Sequence, residues 1–267
     1  MNANRRHIAS LAWQAGTIVL LLTVWQWAAL TYPAPYLPAL ENIATGFLRL
    51  WHGDLLFSAI VPSMTRLAIG FVIAVVVGSV AGLTLGYLRN LDPWVRPVFE
   101  YLRFIPAVAI LPAALLLFGP TDTMRIFVIA FGSVFPVLLA ASDGARRVEP
   151  LLLEVARVER LSIPERLFRV ILPASLPSIF AGVRIALSIA LVMMVISELI
   201  AADNGLGFYI LRNQRLFQTA NVYAGVLAIG TIGLALTLAL LAVEKRVLAW
   251  HRGWRGLPGA DGSKMGA

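Results

Sequence analysis

Cysteine is absent from the 267 residues. Disulfides, thiolate nucleophiles and iron–sulfur ligation are therefore excluded. Histidine is scarce: His7, His52 and His251 lie near the ends of the chain or in a loop, with no metal-ligand spacing between them. The only lysines are Lys245 and Lys264, and neither follows the Gly-x-x-x-x-Gly of a phosphate-binding loop. If ATP drives this protein, another subunit must hydrolyse it. Charge is scarce as well, at 13% of residues, where a soluble domain carries about 25%. With 59% hydrophobic residues and a mean hydropathy of +0.82, neither a soluble globular domain nor a disordered chain fits.

What the chain has is apolar length. A bilayer crossing needs about 20 mostly apolar residues, and six segments qualify: 11–31, 57–88, 95–118, 124–143, 174–202 and 221–248. The expectation is an all-α membrane protein of about six transmembrane helices, with residues 1–10 as an N-terminal segment, 11–252 as the transmembrane domain and 253–267 as a disordered tail. The net charge of +8 points to basic loops on the cytoplasmic side rather than to nucleic acid. With the N-terminus inside, 15 basic residues fall on inside segments and 3 (Arg49, Arg212 and Arg215) on outside ones. Both termini are therefore expected in the cytoplasm.

Local patterns refine this picture. Pro33, Pro35 and Pro38 preclude a helix after the first span, and apolar residues at helical spacing from Glu41 to Trp51 predict a short amphipathic helix at the outer interface. Gly70, Ala74, Gly78, Gly82 and Gly86 place small residues on one face of the second span, where another helix can approach closely. Pro106 and Pro112 interrupt the third span.

The most informative loop is 146–173. Pro150 suits the first turn of a helix, and Leu151–Leu161 is a helix-forming run. Ser162-Ile163-Pro164-Glu165 is a capping box opening a second helix, expected to end before Pro173. Two short helices meeting at a corner near Leu161 make an ordered knob.

Glu154-Val155-Ala156 followed by Val170-Ile171-Leu172-Pro173 resembles the EAA signature of permease subunits of bacterial ABC importers. Arg103-Phe104-Ile105-Pro106, Pro173-Ala174-Ser175-Leu176-Pro177 and Gly205-Leu206-Gly207-Phe208 are similar to stretches of the nitrate/sulfonate/taurine branch. The resemblance covers most of 55–250. It implies a type I importer permease fold, a homodimeric (or pseudodimeric) pore in the bacterial inner membrane, and a coupling helix between the fourth and fifth spans. That helix docks on a cytoplasmic ABC ATPase, which binds the ATP and magnesium; no cofactor is implied in this chain. A periplasmic or lipid-anchored substrate-binding protein delivers the solute. By this carry-over Glu154, Val155, Ala156, Arg157, Arg160, Leu161 and Ser162 lie on the docking element. The chain departs from the signature at Arg160, where the family has glycine.

Three charged residues are candidates for the translocation path: Arg184 and Glu198 in the fifth span and Arg103 in the third. Charges at membrane depth face a bundle interior or a wet cavity. Arg184 and Glu198 are 14 residues apart, about 21 Å along a helix, so they do not pair with each other. Arg184, expected near mid-depth, either offers a site for an anion or bonds to helix-end carbonyls or a carboxylate of another helix. Arg66 and Arg103 are expected at the interface with their heads snorkelling. An ion-coupled secondary transporter is the alternative. It favours inverted repeats and paired carboxylates, and it leaves the ordered knob unexplained.

Overall fold

The computed structural model describes residues 3–32, 34–88 and 92–250. In chain order these form α1 (Ala3–Thr31), α2 (Leu40–Leu50), α3 (Gly53–Leu55), a π turn (Leu56–Ile60), α4 (Val61–Tyr87), α5 (Asp92–Phe104), a 3-10 turn (Ala107–Ile110), α6 (Leu111–Phe118), α7 (Asp122–Arg146), α8 (Pro150–Val158), α9 (Ile163–Arg166), a second π turn (Leu167–Ile171), α10 (Leu172–Ala201), α11 (Leu206–Arg215) and α12 (Thr219–Val247). The expected tail, 253–267, lies outside the described residues.

Among the described residues, five stretches are long and apolar enough to cross a membrane: Trp13–Thr31, Gly53–Tyr87, Asp122–Arg146, Ile163–Ile200 and Thr219–Val247. The third of the six expected spans, 95–118, is not one helix. Proline has no N–H and disfavours helix at the residue before it, so the chain breaks at Ile105–Pro106. It then makes the 3-10 turn and restarts as α6 with Pro112 in the tolerated first turn. Pro97, by contrast, sits inside α5.

Contacts divide the chain into two compact units, one of Met1–Ser63 with Ala202–Thr231 and one of Met64–Ala201 with Ile232–Ala267. In the first, the Trp25 indole donates to the Pro38 carbonyl (3.0 Å) and the Leu40 amide donates to the Gln26 side chain (2.8 Å), tying α1 to the start of α2. Gly46 of α2 lies where a Cβ would stand 3.1 Å from that of Ala224 on α12. The opening amides of α11 have no partner within their own helix. Gly205 instead donates to the Ser58 carbonyl in the first π turn (2.9 Å), and Leu206 donates to the Ser63 hydroxyl (2.8 Å).

In the second unit the small-residue stripe packs α4 on α7. A Cβ added at Gly82 would lie 2.3 Å from the Leu138 carbonyl oxygen, and one at Gly86 would lie 2.5 Å from that of Ser142. Gly70 and Gly78 are equally tight against Ile129 and Val134. α7 also packs along α10, where Gly144 meets Ser175 and Gly182 meets Ala140. Between these helices Met124, Val128, Ile129, Ala190 and Met194 form one core, and Val137, Ala141, Ile179, Val183 and Ala186 a second.

The helix after Ser162 does not end before Pro173. It runs on through α10, so that Ile163–Ile200 is one rod of 38 residues. The π turn at Leu167–Ile171 explains the continuation. Its wider turn makes room for the Pro173 ring and does not need the missing amide in an i→i−4 bond.

Candidate functional site

The loop between α7 and α10 builds an ordered knob. Pro150 occupies the first turn of α8, with Glu149 as its N-cap residue. The end of α8 is closed by two bonds: Arg160 N–H to the Arg157 carbonyl (3.0 Å) and Leu161 N–H to the Ala156 carbonyl (3.1 Å). This is a Schellman cap, and its left-handed position is Arg160, at φ +53°. The signature's glycine is gone but its conformation is kept, at a strain of about 1 kcal/mol for a side-chain-bearing residue.

The next residue but one starts α9. The Glu165 carboxylate accepts from the Ser162 amide (2.9 Å) and from the Ser162 hydroxyl (2.8 Å), so the capping box forms. Arg166 stitches the corner in place, donating to the Leu161 carbonyl (2.8 Å) and to the Tyr87 hydroxyl at the end of α4 (3.3 Å). Ala156 is buried and Leu161 half-buried, whereas Glu154, Val155, Arg157, Arg160 and Ser162 are exposed. Leu151, Val155 and Val158 form an apolar stripe at helical spacing that is also exposed. A rigid two-helix corner showing an apolar stripe rimmed with charge has the make-up of a docking surface.

Deep in the second unit lies an ionic cluster. Arg66 of α4 is 2% exposed. Its Nη1 donates to Glu198 Oε1 of α10 (2.9 Å), and its Nη2 and Nε reach Asp122 Oδ1 of α7 (2.7 and 2.8 Å). Arg125 donates to the same Asp122 oxygen (2.7 Å) and to the Pro120 carbonyl (3.2 Å). Glu198 is fully buried, while the Asp122 side chain is 62% exposed. Arg66 is thus not a snorkelling interfacial residue. It joins three helices, because a buried carboxylate is tolerated only with a charged, hydrogen-bonding partner.

Arg184 is placed otherwise. It donates to Glu244 Oε1 of α12 at 3.1 Å and is partly exposed. Glu244 lies three residues before the end of α12 at Val247, so Arg184 pairs with the last turn of that helix. The rod that carries Arg184 begins at Ile163, ahead of the start expected at 174. Arg103 falls in α5; its side chain lies outside the described residues.

Beside the break in the third stretch is a cavity of about 540 Å3, walled by Pro106, Phe131, Phe135, Pro136, Ile185 and Ile189 among others. Its named walls are apolar, and neither Arg184 nor Glu198 is among them. Irregular backbone at membrane depth is tolerated where it is buried in protein or lines a cavity.

In the first unit, the corner between α11 and α12 repeats the design of the knob. Phe217 N–H donates to the Gln214 carbonyl (3.1 Å) and Gln218 N–H to the Asn213 carbonyl (2.9 Å). Phe217 occupies the left-handed position at φ +56°. Asn221 braces the turn, its amide donating to Asn213 Oδ1 (3.0 Å) and Gln218 Oε1 (2.9 Å). Nearby, partial burial pushes the Tyr209 phenol above its usual pKa, and the positive charge of Arg49 works against that rise. Among the described residues no cluster of histidine, aspartate and glutamate is placed to hold a metal.

Sequence reasoning overlooked the partnership of Arg66, Asp122 and Glu198. A signal was available: Arg66 lies in the opening turns of α4, Asp122 starts α7 and Glu198 lies near the end of α10, so helices running in alternate directions bring opposite charges to one level. Comparing depth across helices, rather than spacing within one, brings them together.

Comparisons with known proteins converge. Residues 70–249 match the family described as "Binding-protein-dependent transport system inner membrane component". The chain is 30% identical to the putative aliphatic sulfonates transport permease protein SsuC of Bacillus subtilis, over 91% of this chain and 90% of that protein. It is 33% identical to the taurine transport system permease protein TauC of Escherichia coli, over 88% of each. It is 34% identical to the bicarbonate transport system permease protein CmpB of Synechococcus elongatus, over 74% of this chain and 69% of that one. The chain belongs to the family of binding-protein-dependent transport system inner membrane components, and within it to the ABC importer permeases of the branch that contains these three relatives.

Proposed function

We propose that this chain forms the translocation path of an ATP-driven importer for a small anion, organic or inorganic, such as a sulfonate, taurine, an aromatic carboxylate, nitrate or bicarbonate. The names of the relatives support that solute class. The knob carries the reading: an ordered corner with an exposed apolar stripe and charged rim needs a partner, and the signature residues lie on it. Glu154, Val155, Ala156, Arg157, Arg160, Leu161 and Ser162 dock on a cytoplasmic ABC ATPase, which holds the ATP and magnesium. Two copies of the chain, in the bacterial inner membrane with both termini inside, enclose the path between them. Residues 11–252 make up the membrane domain, with short segments outside it at either end. A substrate-binding protein supplies the solute from the outside.

Transport here needs no covalent chemistry. Closure of the ATPase pair moves the knob, and the unbroken rod Ile163–Ile200 carries that motion into the bundle as a rigid-body shift. The apolar cavity beside Pro106 serves as one wall of the path. Low charge there suits a conduit, because a conduit must release what it admits. Arg184 and Glu198 act as locks between helices rather than as solute ligands. Arg103, the third charged candidate, belongs to the broken stretch beside that wall.

Copurification tests the reading. The ABC ATPase of the same system is expected to copurify with the parent chain and to separate from a variant whose 154–162 segment is replaced by a flexible linker. Vesicles holding the chain alone should show no uphill uptake with or without an ion gradient. Uphill uptake by the chain alone would establish a secondary carrier instead.

A further inference from the structure

Four phenylalanines form a continuous track, three of them on one face of α7. Phe127, Phe131 and Phe135 stand four residues apart, about one turn each, and Phe118 at the end of α6 extends the row. Neighbouring ring centroids lie 5.1, 6.1 and 5.3 Å apart. Exposure falls along the track, from 38% at Phe118 and 37% at Phe127 to 8% at Phe135. The last two rings wall the cavity of about 540 Å3 beside Pro106. No wall residue of that cavity carries a charge or a side-chain hydrogen-bonding group. The track thus leads from the start of α7, on the outer side in the proposed topology, into the cavity.

Several occupants of this cavity compete. A lipid chain is disfavoured by the backbone of the walls. The chain breaks at Ile105–Pro106, and Pro136 inside α7 has no N–H to offer the carbonyl of Gly132, another wall residue. Irregular backbone is not presented to hydrocarbon. A side chain inserted by a second copy is too small, because the space is of whole-ligand size, about 300–1,000 Å3. Nitrate or bicarbonate would have to shed water that no wall side chain replaces, and a charge buried without replacement is costly. A compact aromatic anion meets none of these objections. Its ring packs against the phenylalanines edge to face or offset. Its charged group stays at the mouth, where Ile185 is 58% exposed.

We infer that Phe131, Phe135 and Ile185 line a selective subsite for an organic anion with an aromatic body, an arylsulfonate or an aromatic carboxylate, and that the track from Phe118 feeds it. The inference rests on the function proposed above and narrows its solute class. Nitrate and bicarbonate fall outside it, and so does taurine, whose apolar surface is two methylene groups.

The test uses the full chain, purified as its membrane complex in nanodiscs, and needs no nucleotide. Binding of benzenesulfonate is followed by saturation-transfer NMR, with nitrate and taurine as competitors. Ile185→Trp fills the cavity from an exposed position, and Phe131→Leu keeps an apolar side chain but removes a ring. The parent is expected to bind saturably. Its dissociation constant should rise about tenfold or more in Ile185→Trp and several-fold in Phe131→Leu, with both variants unfolding at the parent temperature. Should Ile185→Trp unfold early, Phe131→Leu decides alone. Nitrate and taurine should fail to compete even in large excess. A parent without saturable binding would overturn the inference, as would nitrate that competes as well as benzenesulfonate itself. So would binding that neither variant changes but that follows the acyl chains of the disc lipid, which marks a lipid groove. Loss of binding that tracks loss of the dimer would also overturn it, marking a contact between copies. The importer reading fails separately, since an ATPase that does not copurify leaves this binding measurement unaffected.

Discussion

Two corners of this molecule are built from one backbone pattern and finished in different chemistry. In the loop between α7 and α10 the left-handed residue is Arg160; in the turn between α11 and α12 it is Phe217. Each is closed by the same pair of hydrogen bonds. In the first, the residues joined by the bond that spans five residues are Ala156 and Leu161, and the neighbouring capping box at Ser162 and Glu165 starts the next helix. In the second they are Asn213 and Gln218, and the Asn221 amide bridges their side chains. The strained position carries a cation in one corner and an exposed ring in the other. Among the described residues no other side-chain-bearing residue has a positive φ. Strain of this kind persists where the surroundings over-determine it, and it concentrates at sites of contact.

The comparison breaks if either corner proves to be a main source of stability, so the largest effect should lie elsewhere. Arg66→Met strips buried Glu198 of its guanidinium partner and should destabilise the purified subunit by about 3–5 kcal/mol, read as a marked fall in its thermal midpoint. Asn213→Leu comes next: the Asn221 amide loses an acceptor beside a buried site, for a loss of about 1–3 kcal/mol. Arg160→Gly should have the smallest effect on the fold. It removes about 1 kcal/mol of backbone strain, partly offset by the added freedom of glycine when unfolded, so the midpoint stays level or rises slightly. Affinity for the ATPase, measured on immobilised transporter membranes, should still fall several-fold. An affinity that holds or improves would show that the Arg160 charge has no role in docking.

Local features were legible from the chain alone. The capping box and the corner at Leu161 rest on residues within one or two turns of each other, and the glycine stripe repeats at one-turn steps along a single helix, so spacing dictates geometry. Features that depend on several helices meeting were not. Arg66, Asp122 and Glu198 are far apart in sequence, and their pairing needs the register of three helices. Pro173 looked like a terminator because a proline's effect was weighed against an ideal α-helix, and a single π turn removes the conflict. The pairing of Arg184 with Glu244 was not legible for the same reason, since it needs the register of two helices.

The glycine stripe has a mechanical consequence. At Gly82 and Gly86 the backbones of α4 and α7 lie so close that a single methyl group would strike a carbonyl oxygen. Interlocked main chains of this kind have no flexible side chains between them to shear or ratchet. The two helices are therefore coupled as one plank, and any bending of the second unit falls outside it.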